Sequence, residues 1–155
     1  MARSASTPYV YPNPYFQIHI PPLNSPIPVC CALIEKAGRV LIAQRPFDKH
    51  LGGLWEFPGG KIEADESPTE ALHREISEEL GCIVQITTAL DPVVHADPRA
   101  TIELHPFIVR LATESLAPHA REHIALRWLK PTELSKATLA PADVPVVESY
   151  LQQLP

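Results

Sequence analysis

Two apolar runs near residue 30 begin the regular pattern of this chain. VCCALIE (29–35) and RVLIAQR (39–45) are rich in β-branched or other apolar residues and flank residues 36–38, so they predict a β-hairpin. The Gly-rich stretch HLGGLWEFPGGKIE (50–63) predicts a loop. Further strand-like runs occur at 83–90, 101–111 and 124–129.

One helix is defined by signals at both of its ends. Ser67, Pro68 and Glu70 form a capping box with proline in the first turn. Gly81 suits the left-handed residue that follows a helix, so the helix is predicted over 68–80. Its apolar residues share one face, at about 100° per residue: Leu72, Ile76 and Leu80.

Shorter helices are predicted at 132–137 and 144–153. Strands, a central helix, further strands and a closing helix indicate an α/β or α+β layered domain. The length of 155 residues fits a single domain. We place this domain at 29–155. Residues 1–28 are a Pro-rich leader, either a disordered segment or, as we expect, an ordered, extended arm packed on the domain or on a second subunit.

The overall charge restricts the partners of the protein. The net charge is −5 and basic residues do not cluster, which argues against duplex nucleic acid as a partner. No apolar run approaches the roughly 18 residues of a membrane span, and the N-terminus lacks a signal-peptide core. We therefore expect a cytoplasmic protein. Cys30, Cys31 and Cys82 follow no disulfide or zinc pattern, and we expect buried thiols.

Three glutamates crowd the end of the central helix in REISEELG (74–81). Glu75, Glu78 and Glu79 are i, i+3 and i+4 neighbours and flank the apolar face, although like charges at this spacing repel. Such carboxylates either take up protons or bind a cation, and hard oxygen ligands favour Mg²⁺, Mn²⁺ or Ca²⁺. The alternative is an ordinary acidic surface balanced by Arg74 and Lys61.

The surrounding residues extend this cluster to the pattern G-x5-E-x7-R-E-[ILV]-x-E-E-x-G, from Gly60 through Glu66 to Gly81. The pattern resembles the signature of the Nudix hydrolases, which split a nucleoside diphosphate linked to another group. Cys82 replaces the aliphatic residue that closes the family signature. The resemblance runs from about 29 to 150 and is closest to the MutT-like branch, which cleaves nucleoside triphosphates to monophosphate and pyrophosphate. It implies a Nudix-type α/β/α sandwich around a mixed β-sheet.

The resemblance also assigns the catalytic and metal-binding residues. It implies that Mg²⁺ or Mn²⁺ is held by the helix glutamates and the carbonyl of Gly59. Glu122 joins them as a ligand or serves as the general base. We expect Arg74 to orient a carboxylate, and Glu66 either to stabilise the loop or to support the metal ligands from outside. The full catalytic and metal set is Gly59, Arg74, Glu75, Glu78, Glu79 and Glu122.

Other residues are candidates for nucleotide binding. Arg45 and Lys61 flank the Gly-rich loop and are candidates for phosphate contact, although either could be an ordinary surface residue. His50 and Phe57 match positions near the nucleotide pocket of MutT-like enzymes. The alternatives are a loop histidine without a role and a plain core aromatic.

Asp143 stands where the 8-oxoguanine branch typically has asparagine, and its Ala-Pro-Ala-Asp context resembles relatives that hydrolyse CTP. An ionised aspartate only accepts hydrogen bonds, so it would suit donors on guanine or cytosine. The alternative is that Asp143 caps the helix that begins at 144.

The function most consistent with these features is Mg²⁺-dependent sanitation of the nucleotide pool, with 8-oxo-dGTP favoured as substrate and a role in DNA repair. The alternatives are CTP, dCTP or modified-cytidine hydrolysis, ADP-ribose hydrolysis suggested by Pro98, RNA 5′-end hydrolysis, and a non-catalytic nucleotide-binding module. We expect a small-molecule nucleotide as partner, no membrane, and a monomer or homodimer.

Overall fold

The computed structural model describes residues 25–155. They form eight strands, namely β1 (Ile27–Lys36), β2 (Arg39–Gln44), β3 (Trp55–Glu56), β4 (Gly59–Lys61), β5 (Val84–Ala89), β6 (Val93–Ala96), β7 (Thr101–Leu111) and β8 (Ala125–Leu129). The helices are α1 (Pro68–Leu80), α2 (Pro131–Leu134) and α3 (Val144–Leu151), and a 3₁₀ turn at Pro141–Asp143 precedes α3. Within the described residues no helix combines the length and apolarity needed to cross a membrane.

The predicted leader falls mostly outside the described residues, so its arrangement stays a prediction. Its last four residues are described, and Ile27 and Pro28 already belong to β1. The regular fold therefore begins two residues before the predicted domain boundary at 29.

The predicted hairpin is confirmed by β1 and β2, which pair antiparallel. Ala37 and Gly38 connect them with φ values of 49° and 71°. Two successive residues with positive φ give a tight turn whose twist matches the twist of the strands. The hairpin thus fixes the register of the central strand, β1.

β1 lies at the centre of a mixed sheet. It runs parallel to β7 and antiparallel to β2 and β4, in the order β3-β2-β1-β7-β5, with β8 on β2 and β6 on β7. Its side chains alternate between two cores, because successive residues of a strand face opposite sides of the sheet. Cys30 and Ile34 belong to the core under α1, whereas Cys31 and Leu33 belong to the core under α3. The predicted α/β/α sandwich is confirmed, as are the buried thiols.

α1 has the predicted bounds and caps. The Ser67 Oγ accepts the N–H of Glu70 at 3.2 Å, and the Glu70 carboxylate accepts the N–H of Ser67 at 2.7 Å. Gly81 follows the helix with φ 64° and ψ 25°. The three predicted apolar residues, Leu72, Ile76 and Leu80, are fully buried.

The prediction of a continuous loop over 50–63 was wrong, because β3 and β4 form within it. β4 pairs with β1 through Gly59 and Gly60. A Cβ at Gly59 would overlap the carbonyl oxygen of Cys30, so only glycine permits this close pairing. β6 was not predicted. α2 and α3 also end before the predicted limits of 137 and 153.

Candidate active site

The three glutamates of α1 differ in their exposure. Glu79 is buried, Glu75 is half-buried, and the side chain of Glu78 is 55% exposed. Glu79 accepts a hydrogen bond from the N–H of Gly59 at 3.1 Å, which ties α1 to β4. Burial raises the pKa of Glu79 to about 8, and the neighbouring charges of Glu56 and Glu75 add to the shift.

Arg74 orients the carboxylates around it, as predicted. Its Nη1 donates to Glu75 Oε1 at 2.8 Å and lies 3.5 Å from Glu78 Oε2. Its Nε and Nη2 donate to the carboxylate of Glu66, and Nη2 also donates to the carbonyl of Lys61 at 3.0 Å. Arg74 lowers the pKa of Glu66, which also accepts the N–H of Glu63. Glu66 therefore stabilises the loop before α1.

β4 lies directly against the helix acids. A Cβ built on Gly60 would come within 2.5 Å of Glu75 Oε1, so the glycine leaves the space in which this carboxylate sits. Together with the Gly59–Glu79 hydrogen bond, this contact fixes two of the three glutamates relative to one strand.

The donor set fits a hard divalent cation, although the described residues show no three acidic, imidazole or thiol groups already gathered in metal-ligating geometry. The guanidinium of Arg74 holds Glu75 and lies near Glu78. Among the described residues, the carboxylate of Glu79 accepts a single hydrogen bond, from the N–H of Gly59. Carboxylates crowded at a desolvated edge favour a cation. Glu122 is exposed and its charge acts on Glu79.

A cavity of about 610 Å³ opens beside Glu79. All five predicted substrate-binding residues line it: Arg45, His50, Phe57, Lys61 and Asp143. Gly59 and Glu79 also line it, whereas Arg74, Glu75, Glu78 and Glu122 do not. The fold therefore brings the predicted binding residues to one cavity and places the remaining acids beyond its lining.

Arg45 and His50 are engaged with protein groups at the cavity wall. Arg45 Nη1 donates to Glu56 Oε2 at 2.8 Å, and Arg45 Nε donates to the carbonyl of His50 at 2.7 Å. His50 Nε2 lies 3.6 Å from Asp97 Oδ2. Lys61 is exposed and forms no ion pair with the part of the chain described here. Phosphate contact by Arg45 or Lys61 stays a prediction.

Asp143 and Phe57 lie deep in the cavity, only 5% and 3% exposed. Asp143 occupies the N-cap position of α3, but its side chain makes no capping hydrogen bond. Burial, followed by the charge of Glu56, raises the pKa of Asp143 well above its ordinary value. This shift opposes the ionised, accept-only form considered in the sequence analysis, and base recognition by Asp143 stays a prediction. Phe57 is both a core residue and a cavity residue.

Glu56 and His123 were missed by the sequence analysis. Glu56 Oε1 lies 2.9 Å from His123 Nε2, and its other oxygen accepts from Arg45. The Nδ1 atom of His123 is buried and has no partner among residues 25–155. No local pattern singles out either residue, because their contact joins positions 67 residues apart.

Comparison with known proteins agrees with this geometry. The family model described as NUDIX domain matches residues 25–150. The CTP pyrophosphohydrolase of Escherichia coli K12 is 41% identical over 125 residues, which cover 81% of this chain and 91% of that protein. The 8-oxo-dGTP diphosphatase of Proteus vulgaris is 49% identical over 77 residues, which cover 50% of this chain and 69% of that protein.

Solved structures show the same relationship. The E. coli ORF135 protein superposes with a TM-score of 0.73 at 38% identity, covering 83% of this chain and 91% of that chain. A MutT NUDIX hydrolase from Burkholderia pseudomallei superposes with a TM-score of 0.69 at 30% identity, covering 81% of this chain and 98% of that chain.

Proposed function

The chain belongs to the Nudix family, and on this premise we propose that it hydrolyses nucleoside triphosphates to the monophosphate and pyrophosphate with Mg²⁺ or Mn²⁺. The observation that carries the proposal is one cavity with Glu79 on its wall and Asp143 deep inside it. This arrangement accommodates a polyphosphate next to the helix acids while the base lies near Asp143.

The metal would be held by Glu75, Glu78, Glu79 and the Gly59 carbonyl, with Glu122 close by, and when bound it would neutralise the polyphosphate and activate a water. The chain itself prepares this site. Arg74 fixes the direction of Glu75 and Glu66, and the Gly59 N–H holds Glu79 in place.

Proton acceptance falls to a carboxylate that has few other contacts. Glu78 is the most exposed of the three clustered glutamates, and its contact with Arg74 is the longest, at 3.5 Å. Glu122 is exposed, and its charge acts on Glu79. Either residue is free to take a proton from an attacking water, which is worth roughly 10²–10⁴-fold in rate.

The preferred substrate in this proposal is 8-oxo-dGTP, the role being removal of a damaged nucleotide before it enters DNA. The second candidate is CTP or dCTP. It is favoured by the E. coli CTP pyrophosphohydrolase, which resembles this chain over 91% of its own length. The ADP-ribose alternative is supported only by Pro98, which lines the cavity, and no specific observation favours the RNA 5′-end or binding-module alternatives.

A product assay tests the proposal. The chain is incubated with Mg²⁺ and a panel of 8-oxo-dGTP, dGTP, CTP, dCTP and ADP-ribose, and pyrophosphate and phosphate are measured separately. We expect pyrophosphate with the monophosphate, no turnover in EDTA, and a kcat/KM for 8-oxo-dGTP at least about tenfold above that for dGTP. A higher kcat/KM for CTP would select the second candidate. Release of phosphate alone, or of neither product, would contradict the proposal.

A further inference from the structure

The C-terminal end of α1 adjoins the connection between β7 and β8, which runs over residues 112–124. The last carbonyls of a helix have no partners within the helix, and they form the negative end of its dipole. α1 has no basic residue in its own last turn. Among the described residues, the donors that reach these carbonyls are the N–H of Gly81 and groups of the connection.

Hydrogen bonds from His119 and Arg121 join the connection to the helix end. The Arg121 N–H donates to the carbonyl of Glu79 at 3.1 Å. The His119 N–H donates to the carbonyl of Leu80, also at 3.1 Å. The guanidinium of Arg121 donates from Nη1 to the carbonyl of Ser77 at 3.2 Å, and its Nε donates to His119 Nε2 at 3.2 Å. Arg121 therefore holds α1 through both its backbone and its side chain.

Gly81 permits this close approach. A Cβ built on Gly81 would come within 2.6 Å of His119 Cε1 and 2.7 Å of Arg121 Nη2. Any side chain at this position would therefore have to displace both neighbours. The two side chains pack directly on the residue that ends α1.

Glu122 is the next residue after this contact. Because the N–H of Arg121 is bonded to the carbonyl of Glu79, Glu122 begins one peptide unit away from a bond to the acid cluster. On its other side, His123 is buried and its Nε2 lies 2.9 Å from Glu56. Glu122 itself is exposed, so its place is set by the anchored residues on either side of it.

We propose that Arg121 is a positioning residue for the hydrolytic reaction. Its guanidinium holds the connection on α1 at Ser77, and the connection in turn fixes where Glu122 stands relative to Glu79. This inference rests on the proposed function, in which Glu122 is a metal ligand or the general base. Without the guanidinium, backbone hydrogen bonds alone would hold an exposed segment, and Glu122 would sample a wider range of positions.

The expected kinetic signature follows from where Arg121 lies. Neither Arg121 nor His119 belongs to the lining of the cavity, so their loss should leave nucleotide binding in place. A misplaced ligand or base instead slows the chemical step, by up to about 100-fold for a displacement of about 1 Å. A helix cap that only stabilised the fold would lower the free energy of unfolding without changing kcat.

Steady-state kinetics of the full chain with Mg²⁺ test the inference. Arg121→Ala should lower kcat by about tenfold and change KM by less than about twofold. Arg121→Lys keeps a cation that can reach the Ser77 carbonyl and should restore most of the lost turnover. In a Glu122→Gln background, Arg121→Ala should change kcat by less than about twofold. Arg110→Ala removes an equal charge from an exposed residue outside the cavity lining and should match the parent.

Amide hydrogen exchange follows the same contact without substrate or metal. In Arg121→Ala, shown by thermal unfolding to be folded, the protection of the amides at positions 119 and 121 should fall by at least about tenfold. Arg110→Ala should again match the parent.

Unchanged protection of these amides in Arg121→Ala would overturn the inference, as would parent kcat in Arg121→Ala or in Glu122→Gln. So would a change in KM in place of kcat, or an equal loss of kcat in the Glu122→Gln background. Failure of the proposed function would appear separately, as a parent protein that releases no pyrophosphate with Mg²⁺.

Discussion

The acid cluster of α1 and the end of the cavity that contains Asp143 each hold a buried carboxyl, but the two regions are built differently. Glu75, Glu78 and Glu79 come from five consecutive positions of one helix, and Arg74 of the same helix orients the group. Asp143 and Glu56 come from distant segments that the sheet brings together. A local cluster is specified by helical spacing, whereas an assembled one depends on strand pairing. Substitutions in the two regions should therefore differ in their effects on turnover and stability.

Within the acid cluster, Glu78→Gln should have the largest effect. Glu78 is exposed, so the fold should tolerate the change, while loss of an oxygen ligand or base should lower kcat by about 100-fold or more. All nucleotides in the panel should be affected alike, because Glu78 lies outside the cavity lining. Steady-state kinetics check this. If the variant turned over substrate as fast as the parent, Glu78 would be neither a metal ligand nor the general base.

Gly60→Ala should have the next largest effect, because the new Cβ would displace the Glu75 carboxylate. A misplacement of about 1 Å costs up to about 100-fold, and we expect kcat/KM to fall by about 10- to 100-fold. Glu75→Asp withdraws the carboxylate, so Gly60→Ala should cost less in that background. A double-mutant cycle measures this coupling. Additive effects would show that the strand does not act through Glu75.

The smallest effect concerns stability. The pKa of Glu79 is about 8 in the folded chain against an ordinary value of 4.5, so the folded state binds more protons between these values. Its stabilising contribution is complete below about pH 4.5 and is lost as pH rises through about 8. In EDTA, the free energy of unfolding of Glu79→Gln, relative to that of the parent, should therefore be at least about 1 kcal/mol higher at pH 8.5 than at pH 5. Denaturant unfolding of both proteins at the two pH values measures this difference. If the free energy of unfolding changed equally with pH in both proteins, the burial argument would be contradicted.

Sequence signals predicted the parts of the fold that depend on neighbouring residues. The caps of α1, the turn at 36–38 and the strand over 101–111 are local and were confirmed. β4 was missed because its strand character comes from pairing with β1 and not from its own Gly-Gly-Lys sequence.

The same distinction separates the site residues. The helix acids follow from spacing alone. The contact of Glu56 with His123 joins positions 67 residues apart, and it forms because β3 and β8 both pair with the end of β2. The raised pKa of Asp143 could not be inferred either, since burial is a property of the assembled layers.

The two adjacent cysteines of β1 face opposite sides of the sheet. Cys30 lies within the influence of Arg74 and Glu75, whereas Cys31 lies within that of Glu56 and Asp143. Even-numbered positions of this strand face the core under α1, and odd-numbered positions face the core under α3. Substitutions at alternate positions of β1 should therefore disturb one core and leave the other in place.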